Sequence, residues 1–570
     1  MIENQILHGL NEPQIQAVTH TEGPLLVVAG PGTGKTLTIT RRIAYILGKG
    51  VKPENILAIT FTNRAAREMR ERTEAYTGQA GRSLFIGTFH AFGIDMIRGT
   101  SNKTYRIIGR DDQIEILKNL TGGTTRDALK ILDTISRNKN LLDRREMGYS
   151  DIFKRYEATL KDMDALDLDD LILMAVELLR DRERIGAYAG RFKYIMIDEY
   201  QDINPSQYML IKHLSGFTAN ICAVGDSDQA IYSFRGADVE NFLNFKKEFC
   251  GAKTVVLREN YRSSKIIVDA SQSLIRNNVK RIEKDIYAVT AKDDIPIKVI
   301  AAADEVAEAS AIAREIGKRM GAMSHFQLMQ ADESFDYRGG SYRFSDFAIL
   351  YRTNSQAGAL RDALTEAGIP FKVVGDDKNN RALRDIGERL VGYLHNGWGD
   401  LTLEKILEDA FVPAGEDDLG GLRKNLLLAY MGLPVAQALQ KIIDELSLFS
   451  SSDAYDPTVD TVTLMTLHMS KGLEFRVVFI AGVVDGIIPY GEPDRDNNDI
   501  EEERRLFYVG ITRAKEELCI TYCHNRSSYG RQKQSMPSLF IKEIPRGYIE
   551  YIELPGKDKN RKKPRQQRLF

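Results

Sequence analysis

Eight residues, AGPGTGKT from Ala29 to Thr36, stand between an apolar run, LLVVA, and an amphipathic stretch, TLTITRRIAYILGKG. Glycines at this spacing let the backbone curl so that its N–H groups and the start of the following helix face an anion. Ala29, Gly30, Pro31, Gly32, Thr33 and Gly34 form the cradle, with Ala29 standing where the strict pattern has glycine. Lys35 adds a point charge for the β- and γ-phosphates, and Thr36 offers a hydroxyl to Mg²⁺. The chemistry this predicts is nucleoside triphosphate binding.

A second stretch, YIMIDEYQD, runs a buried strand into acids at Asp198, Glu199 and Asp202. Carboxylates at a strand end need a cation. Asp198 fits the acid that reaches Mg²⁺ through its water shell, and Glu199 fits the base that orients and deprotonates an attacking water. Arg262 in RENYRS and Arg513 in YVGITRAKEEL are candidates to neutralise charge on the γ-phosphate, an effect worth roughly 10³-fold or more in rate.

The elements that must hold these residues are legible in the pattern. LLVVAG, ILAITF, YIMID, ICAVGD and TVVLREN read as buried strands, separated by helical stretches such as NRAAREMRERTEAY. Such a βαβα rhythm predicts a parallel sheet with helices on both faces. A helical region fills roughly 102–190. A second α/β block opens near Tyr261 with IPIKVIAA, FAILYRT and IPFKVVGDD. It is interrupted by another helical stretch, about 380–448, and resumes at TVTLMTLH and RVVFIAGV. The segment 324–343 reads as a surface loop.

Composition narrows the class. A chain of 570 residues needs more than one core. Its 78 Lys and Arg against 80 Asp and Glu leave a net charge of −2, so any nucleic-acid groove must be built locally. No window approaches the roughly 18 consecutive apolar residues of a membrane span, and MIENQILHGLNEPQ carries no secretory pattern. Cys222, Cys250, Cys519 and Cys523 are too scattered for a disulfide framework, which points to a reducing, cytoplasmic setting.

Ten segments in order then carry a resemblance: LNEPQIQAV, AGPGTGKT, AITFTNRAAREM, GTFHAFG, IDEYQD, VGDSDQAIYSFRGAD, LRENYRS, FAILYRTNSQ, VTLMTLHMSKGLEFRVVFIAG and EEERRLFYVGITRAK. The chain resembles the UvrD/Rep/PcrA branch of superfamily 1A DNA helicases over nearly its whole length. The resemblance implies an α/β fold with two RecA-like P-loop domains, 1A and 2A, each bearing a mainly helical insertion, 1B and 2B. The expected boundaries are 1–98 and 191–259 for 1A, 99–190 for 1B, 260–384 and 457–550 for 2A, 385–456 for a reduced 2B, and 551–570 for a basic flexible tail. It further implies an ATP- and Mg²⁺-dependent 3′→5′ helicase. Hydrolysis between the two RecA-like domains would be coupled to movement on single-stranded DNA, in repair or recombination and near the nucleoid.

Residue by residue, the resemblance places Gln14 on the adenine, Tyr261 stacked on the base, Glu474 on the ribose, and Gln229 at the γ-phosphate or the attacking water. Lys35, Asp198, Glu199, Arg262 and Arg513 keep the roles given above, and Gln201 links nucleotide state to the DNA side. Phe61, Thr88, His90, Tyr232, Phe234, Arg235 and His468 match DNA-contacting positions; stacking on aromatics suits a motor because every base has a π-face. Leu37 replaces an arginine that commonly covers the adenine, and Phe234 a tryptophan. The terminal QQRLF resembles a sliding-clamp docking peptide, with Gln566 at the pocket edge and Leu569 and Phe570 filling it. Two alternatives stay open: a single-strand translocase that strips proteins but unwinds weakly, and an ATP-gated adaptor recruited to the clamp.

Overall fold

The computed structural model describes residues 2–100, 105–140, 151–181, 188, 190–216, 218–289, 294–321, 342–375, 377–412, 416–449, 453, 455–491, 497–528 and 531–555. Most of the expected surface loop 324–343 and the docking peptide with Gln566, Leu569 and Phe570 lie outside the described residues. The chain forms two compact units: Met1–Arg258 with Arg281–Lys284 and Gly375–Asp456, and Glu259–Lys280 with Asp285–Val374 and Pro457–Phe570.

The first unit is built on β1 (Leu25–Ala29), β2 (Ile56–Thr60), β3 (Phe85–Thr88), β4 (Tyr194–Ile197), β5 (Ile221–Gly225) and β6 (Lys253–Leu257), in the order β3–β2–β4–β5–β1–β6. Every pairing is parallel. Strands β1, β2 and β5 are buried at all their positions, which is why they read as continuous apolar runs and not as alternation. The period of two still sorts the cores. Leu26 and Val28 pack with Phe92, Ile197 and Leu210 on one face, while Leu25 and Val27 pack with Ile39, Ile43 and Ile46 on the other.

The helix Lys35–Gly48 presents that isoleucine stripe, and it also buries Arg42. Taking a guanidinium out of water requires partners. Arg42 finds them by donating to the carbonyls of Ala17 at 2.8 Å, of His20 and of Thr21.

Two helical groups complete this unit. The helices Arg110–Thr121, Thr125–Asn140 and Asp151–Asp162 close a small core on Leu117, Leu132, Tyr156 and Leu160. The stretch 375–456 interrupts the second block in sequence, yet it belongs to the first unit in space. Its helices include Leu403–Phe411 and Val435–Ser447, around Leu390, Ile406, Leu439 and Ile442. Polar contacts fasten it: Arg98 grips both oxygens of Asp444, Arg67 meets Glu445 at 2.9 Å, and the Arg64 N–H donates to Asp453 Oδ1 at 2.9 Å.

The second unit carries an eight-stranded sheet: β7 (Ile297–Asp304), β8 (Phe347–Tyr351), β9 (Phe371–Val373), β10 (Val462–Thr466), β11 (Phe475–Ile480), β12 (Ala514–Ser528), β13 (Arg531–Gln534) and β14 (Ile549–Glu553). The order is β9–β10–β8–β11–β12–β7–β14, parallel throughout, with β13 antiparallel to β12. Strand β14 carries regular pairing with β7 to Glu553, past the expected start of the tail at 551. Both units are therefore the α/β, parallel-sheet fold that the strand rhythm predicts. Among the described residues no helix is long and apolar enough to cross a membrane.

Candidate nucleotide and nucleic-acid sites

Parallel strands end at a common edge, and ligands of open α/β sheets bind beyond the carboxyl ends. In the first unit β1 delivers Ala29–Thr36 to that edge, β4 delivers Asp198–Asp202, and β5 delivers Asp226–Gln229. The outer strands β2 and β3 deliver Phe61 and the pair Thr88 and His90. Phe61, Thr88 and His90 thus come from the β3–β2 side of the sheet, while Tyr232, Phe234 and Arg235 follow Gln229 on the chain leaving β5.

Gln14 is fixed before any ligand arrives. It closes a capping box with Asn11 at the start of Glu12–Thr19, and its Nε2 donates to the Thr33 carbonyl at 3.1 Å. Gly34 holds φ +88°, and a Cβ there would stand 2.7 Å from Gln14 Nε2. Only glycine meets both demands. Lys35 and Thr36 then open the helix Lys35–Gly48.

Beyond β4 the buried Asp198 is tied by its N–H to the Ile59 carbonyl at 2.9 Å. Glu199 adopts φ 52°, a left-handed conformation costing a non-glycine residue about 1–3 kcal/mol. Its Oε1 lies 3.0 Å from Lys35 Nζ, and its Oε2 accepts from Gln201 Nε2 at 2.5 Å. Gln201 Nε2 also donates to Asp202, and Gln201 Oε1 accepts the Asp226 N–H at 2.9 Å. Gln229 Nε2 donates to Asp226 Oδ2 at 2.6 Å. One connected chain runs from the phosphate-loop lysine to Gln229. A glycine cradle, an ammonium, a hydroxyl and a buried carboxylate are the donors that a Mg²⁺–nucleotide requires.

Sequence reasoning left the counter-charges of this chain unassigned. Asp226 and Asp228 are buried, and Lys284 lies between them at 2.5 and 2.6 Å. Arg281 adds a two-point contact to Asp228 at 3.0 and 2.7 Å. Burial would raise Asp226, but Lys284 and then Lys35 outweigh it and hold the carboxyl below its usual range. The acids were visible in VGDSDQ; nothing in VKRIEKD marks its last lysine as buried.

The rings of Phe61 and Tyr232 stack with centroids 5.0 Å apart, and Phe234 leans on Tyr232 at 6.0 Å. The Arg235 guanidinium covers both Tyr232 and Phe234, and Phe234 is 62% exposed. Thr88 is buried at the end of β3, its Oγ1 accepting the Ala91 N–H at 3.2 Å. Desolvation, reinforced by the Arg235 charge, pushes the His90 imidazole down to about 4. It is neutral at physiological pH.

In the second unit, Glu474 and Arg513 immediately precede the paired strands β11 and β12, at the amino-terminal edge of the sheet, whereas His468 follows the carboxyl end of β10. Glu474 accepts from Arg262 Nε at 2.7 Å and meets Lys515 at 2.6 Å. Burial would raise its carboxyl; Arg262 and Lys515 overcome that and bring it to about 2. Asn260 Oδ1 accepts the N–H groups of Arg262 and Ser263, fixing the turn beside the exposed Tyr261. Arg513 is only 1% exposed. Its guanidinium donates to the carbonyls of Val509 and Leu473 and to Thr512 Oγ1, at 2.8, 3.1 and 3.0 Å.

Comparison with known proteins gives a consistent picture. Residues 10–250 match the UvrD/REP helicase N-terminal domain, and residues 255–426 and 417–525 match the UvrD-like helicase C-terminal domain. The chain is 34% identical to the ATP-dependent DNA helicase PcrA of Bacillus subtilis, across 97% of this chain and 88% of the relative. It is 32% identical to proteins of the same name from Staphylococcus aureus (strain Mu50) and Staphylococcus epidermidis, each across 96% and 88%.

Proposed function

The chain belongs to the UvrD/REP helicase family, and on that footing we propose that it is an ATP-dependent DNA helicase moving 3′→5′ on single-stranded DNA. One observation carries the reading. Asp226–Gln229, which ends the chain of contacts from Lys35, runs within six residues into Tyr232, Phe234 and Arg235. A change felt at the phosphate loop is thereby handed to the aromatic platform along one short stretch of backbone.

In this reading Lys35 engages the β- and γ-phosphates, and Thr36 and Asp198 would hold Mg²⁺. Bound there, the ion would offset charge building on the phosphate oxygens. Glu199 takes the proton of the attacking water, and Gln229 orients that water. Gln14, already held against Thr33, hydrogen-bonds the adenine; Tyr261 stacks on the base and Glu474 holds the ribose. Leu37 gives the base only dispersion contact on its side. Arg262 and Arg513 neutralise the γ-phosphate, for which Arg513 trades main-chain carbonyls for phosphate oxygens. Phe61, Tyr232 and Phe234 stack bases, while Thr88, His90, Arg235 and His468 contact the strand. The organisation into domains 1A, 1B, 2A and a reduced 2B belongs to the same proposal. So do work in repair or recombination near the nucleoid and recruitment by a sliding clamp through Gln566, Leu569 and Phe570.

The test is unwinding of duplexes carrying 3′ or 5′ single-stranded tails, with ATP hydrolysis measured with and without DNA. Unwinding of the 3′-tailed substrate alone, with DNA-stimulated hydrolysis, is expected. Hydrolysis indifferent to DNA would reject the motor, and unwinding from 5′ tails would reject the polarity.

A further inference from the structure

Lys284 is among the most deeply enclosed charges of the described residues, and no role assigned above uses it. Its side chain is 0% exposed, as is that of Asp226, and Asp228 is 1% exposed. It arrives by an unusual path. The chain belongs to the second unit through Lys280, joins the first for Arg281–Lys284 only, and returns at Asp285. Within those four residues Arg281 grips Asp228, the Ile282 N–H donates to Ser227 Oγ at 3.0 Å, and Lys284 reaches both acids. Three consecutive residues, Asp226 to Asp228, are held by this strap.

Its consequence falls on Gln229. Asp226 uses Oδ1 for Lys284 and Oδ2 for the Gln229 amide nitrogen. An ionised carboxylate only accepts, so the amide must turn its NH₂ to Asp226 and direct its oxygen elsewhere. Without the cation at Oδ1, a carboxylate this buried loses its principal counter-charge and is driven toward protonation, and a protonated acid no longer dictates the amide's orientation.

We infer that Lys284 is a positioning residue for hydrolysis: by keeping Asp226 ionised it fixes the amide of Gln229 in the orientation that receives the attacking water. The inference rests on the helicase reading, in which Gln229 orients that water.

Steady-state ATP hydrolysis by the full chain on an oligothymidylate separates this from a purely structural role. Lys284→Met should lower kcat by about 10- to 100-fold and leave KM for ATP within about threefold. Lys284→Arg should recover part of the loss. In a Gln229→Ala background Lys284→Met should change kcat less than about twofold, because the group it positions is already gone. Losses that multiply in the double variant, or an unchanged kcat in Lys284→Met, would overturn the inference, as would a Gln229→Ala chain hydrolysing at the wild-type rate. If Lys284→Met does not purify folded, the charge-neutral pair Asp226→Asn/Lys284→Met carries the same comparison against Gln229→Ala. Wild-type chain lacking DNA-stimulated hydrolysis would sink the helicase reading first, and this inference with it.

Discussion

Lys35 Nζ and Glu199 Oε1 lie 3.0 Å apart, so the ammonium expected on the phosphates and the carboxylate expected on the water neutralise each other. Both side chains are largely shielded, at 13% and 18% exposed, which makes the pairing stronger than a surface ion pair. Under the proposed function, an arriving polyphosphate would compete with Glu199 for Lys35 and free the carboxylate when there is something to hydrolyse.

Removing either partner should therefore give different failures. Lys35→Ala is expected to abolish hydrolysis and weaken nucleotide binding. Glu199→Gln should bind ATP at least as well as wild type and lose about 10²-fold or more in kcat. Fluorescent nucleotide binding beside steady-state hydrolysis distinguishes the two, and a Glu199→Gln chain turning over normally would refute the assignment of the base.

Gly34→Ala tests the cradle. The left-handed φ alone costs a Cβ-bearing residue roughly 1–2 kcal/mol, and the added carbon would meet Gln14 Nε2 at 2.7 Å. Thermal denaturation should show that loss, together with a higher KM for ATP. Adding Gln14→Ala should return part of the stability but none of the affinity. If the single variant were as stable as wild type, the steric account would fail.

Phe234 protrudes, so its replacement should spare the fold. Phe234→Ala is expected to leave the melting temperature unchanged and weaken single-stranded DNA binding by about 1–3 kcal/mol, the worth of one stacked base. Phe234→Trp should tighten it. Fluorescence anisotropy with a labelled oligonucleotide reads both; equal affinities across the three chains would remove Phe234 from the platform.

The depressed His90 predicts a pH signature. Its folded pKa, about 4, lies below the unfolded value of 6.5, so the unfolded chain takes up a proton first as pH falls. The stability His90 contributes is fully present above pH 6.5 and drains away between 6.5 and about 4. Melting temperatures across that window should fall less steeply in His90→Gln than in wild type. Parallel curves would contradict a desolvated, neutral ring.

Arg98 and Asp444 tie the late insertion to the first unit. The geometry is that of an ionised carboxylate gripped at both oxygens, yet burial outweighs Arg98 and lifts Asp444 to about 6. The two agree at neutral pH, where the acid is still charged and held at some cost. Arg98→Met should strand that charge and destabilise by about 1–3 kcal/mol, discounted for partial exposure. Arg98→Met/Asp444→Leu should recover most of it. Denaturant unfolding measures the cycle; additive losses would show the pair to be independent.

Much of the chemistry was written locally. The glycine loop needs a strand, three glycines, a lysine and a threonine within one short segment, so its place between strand and helix is legible in spacing alone. The placement of Asp198 and Glu199 at the end of an apolar strand was equally readable, and the structure sets Glu199 against Lys35. The parallel sheets followed from the same runs. Folding decided what depends on the exclusion of water between distant segments. Lys284 looks like any solvated lysine of a basic run until packing encloses it between Asp226 and Asp228. The helical stretch at about 380–448 reads as an insertion of the second block until Arg67 and Arg98 of the first claim its acids. Arg513 reads as a free cation until three neighbouring oxygens bury it. Covalent order sets which residues are near in sequence. Charge compensation in a low-dielectric interior is settled by which residues become near in space, and that is fixed only when the chain has packed.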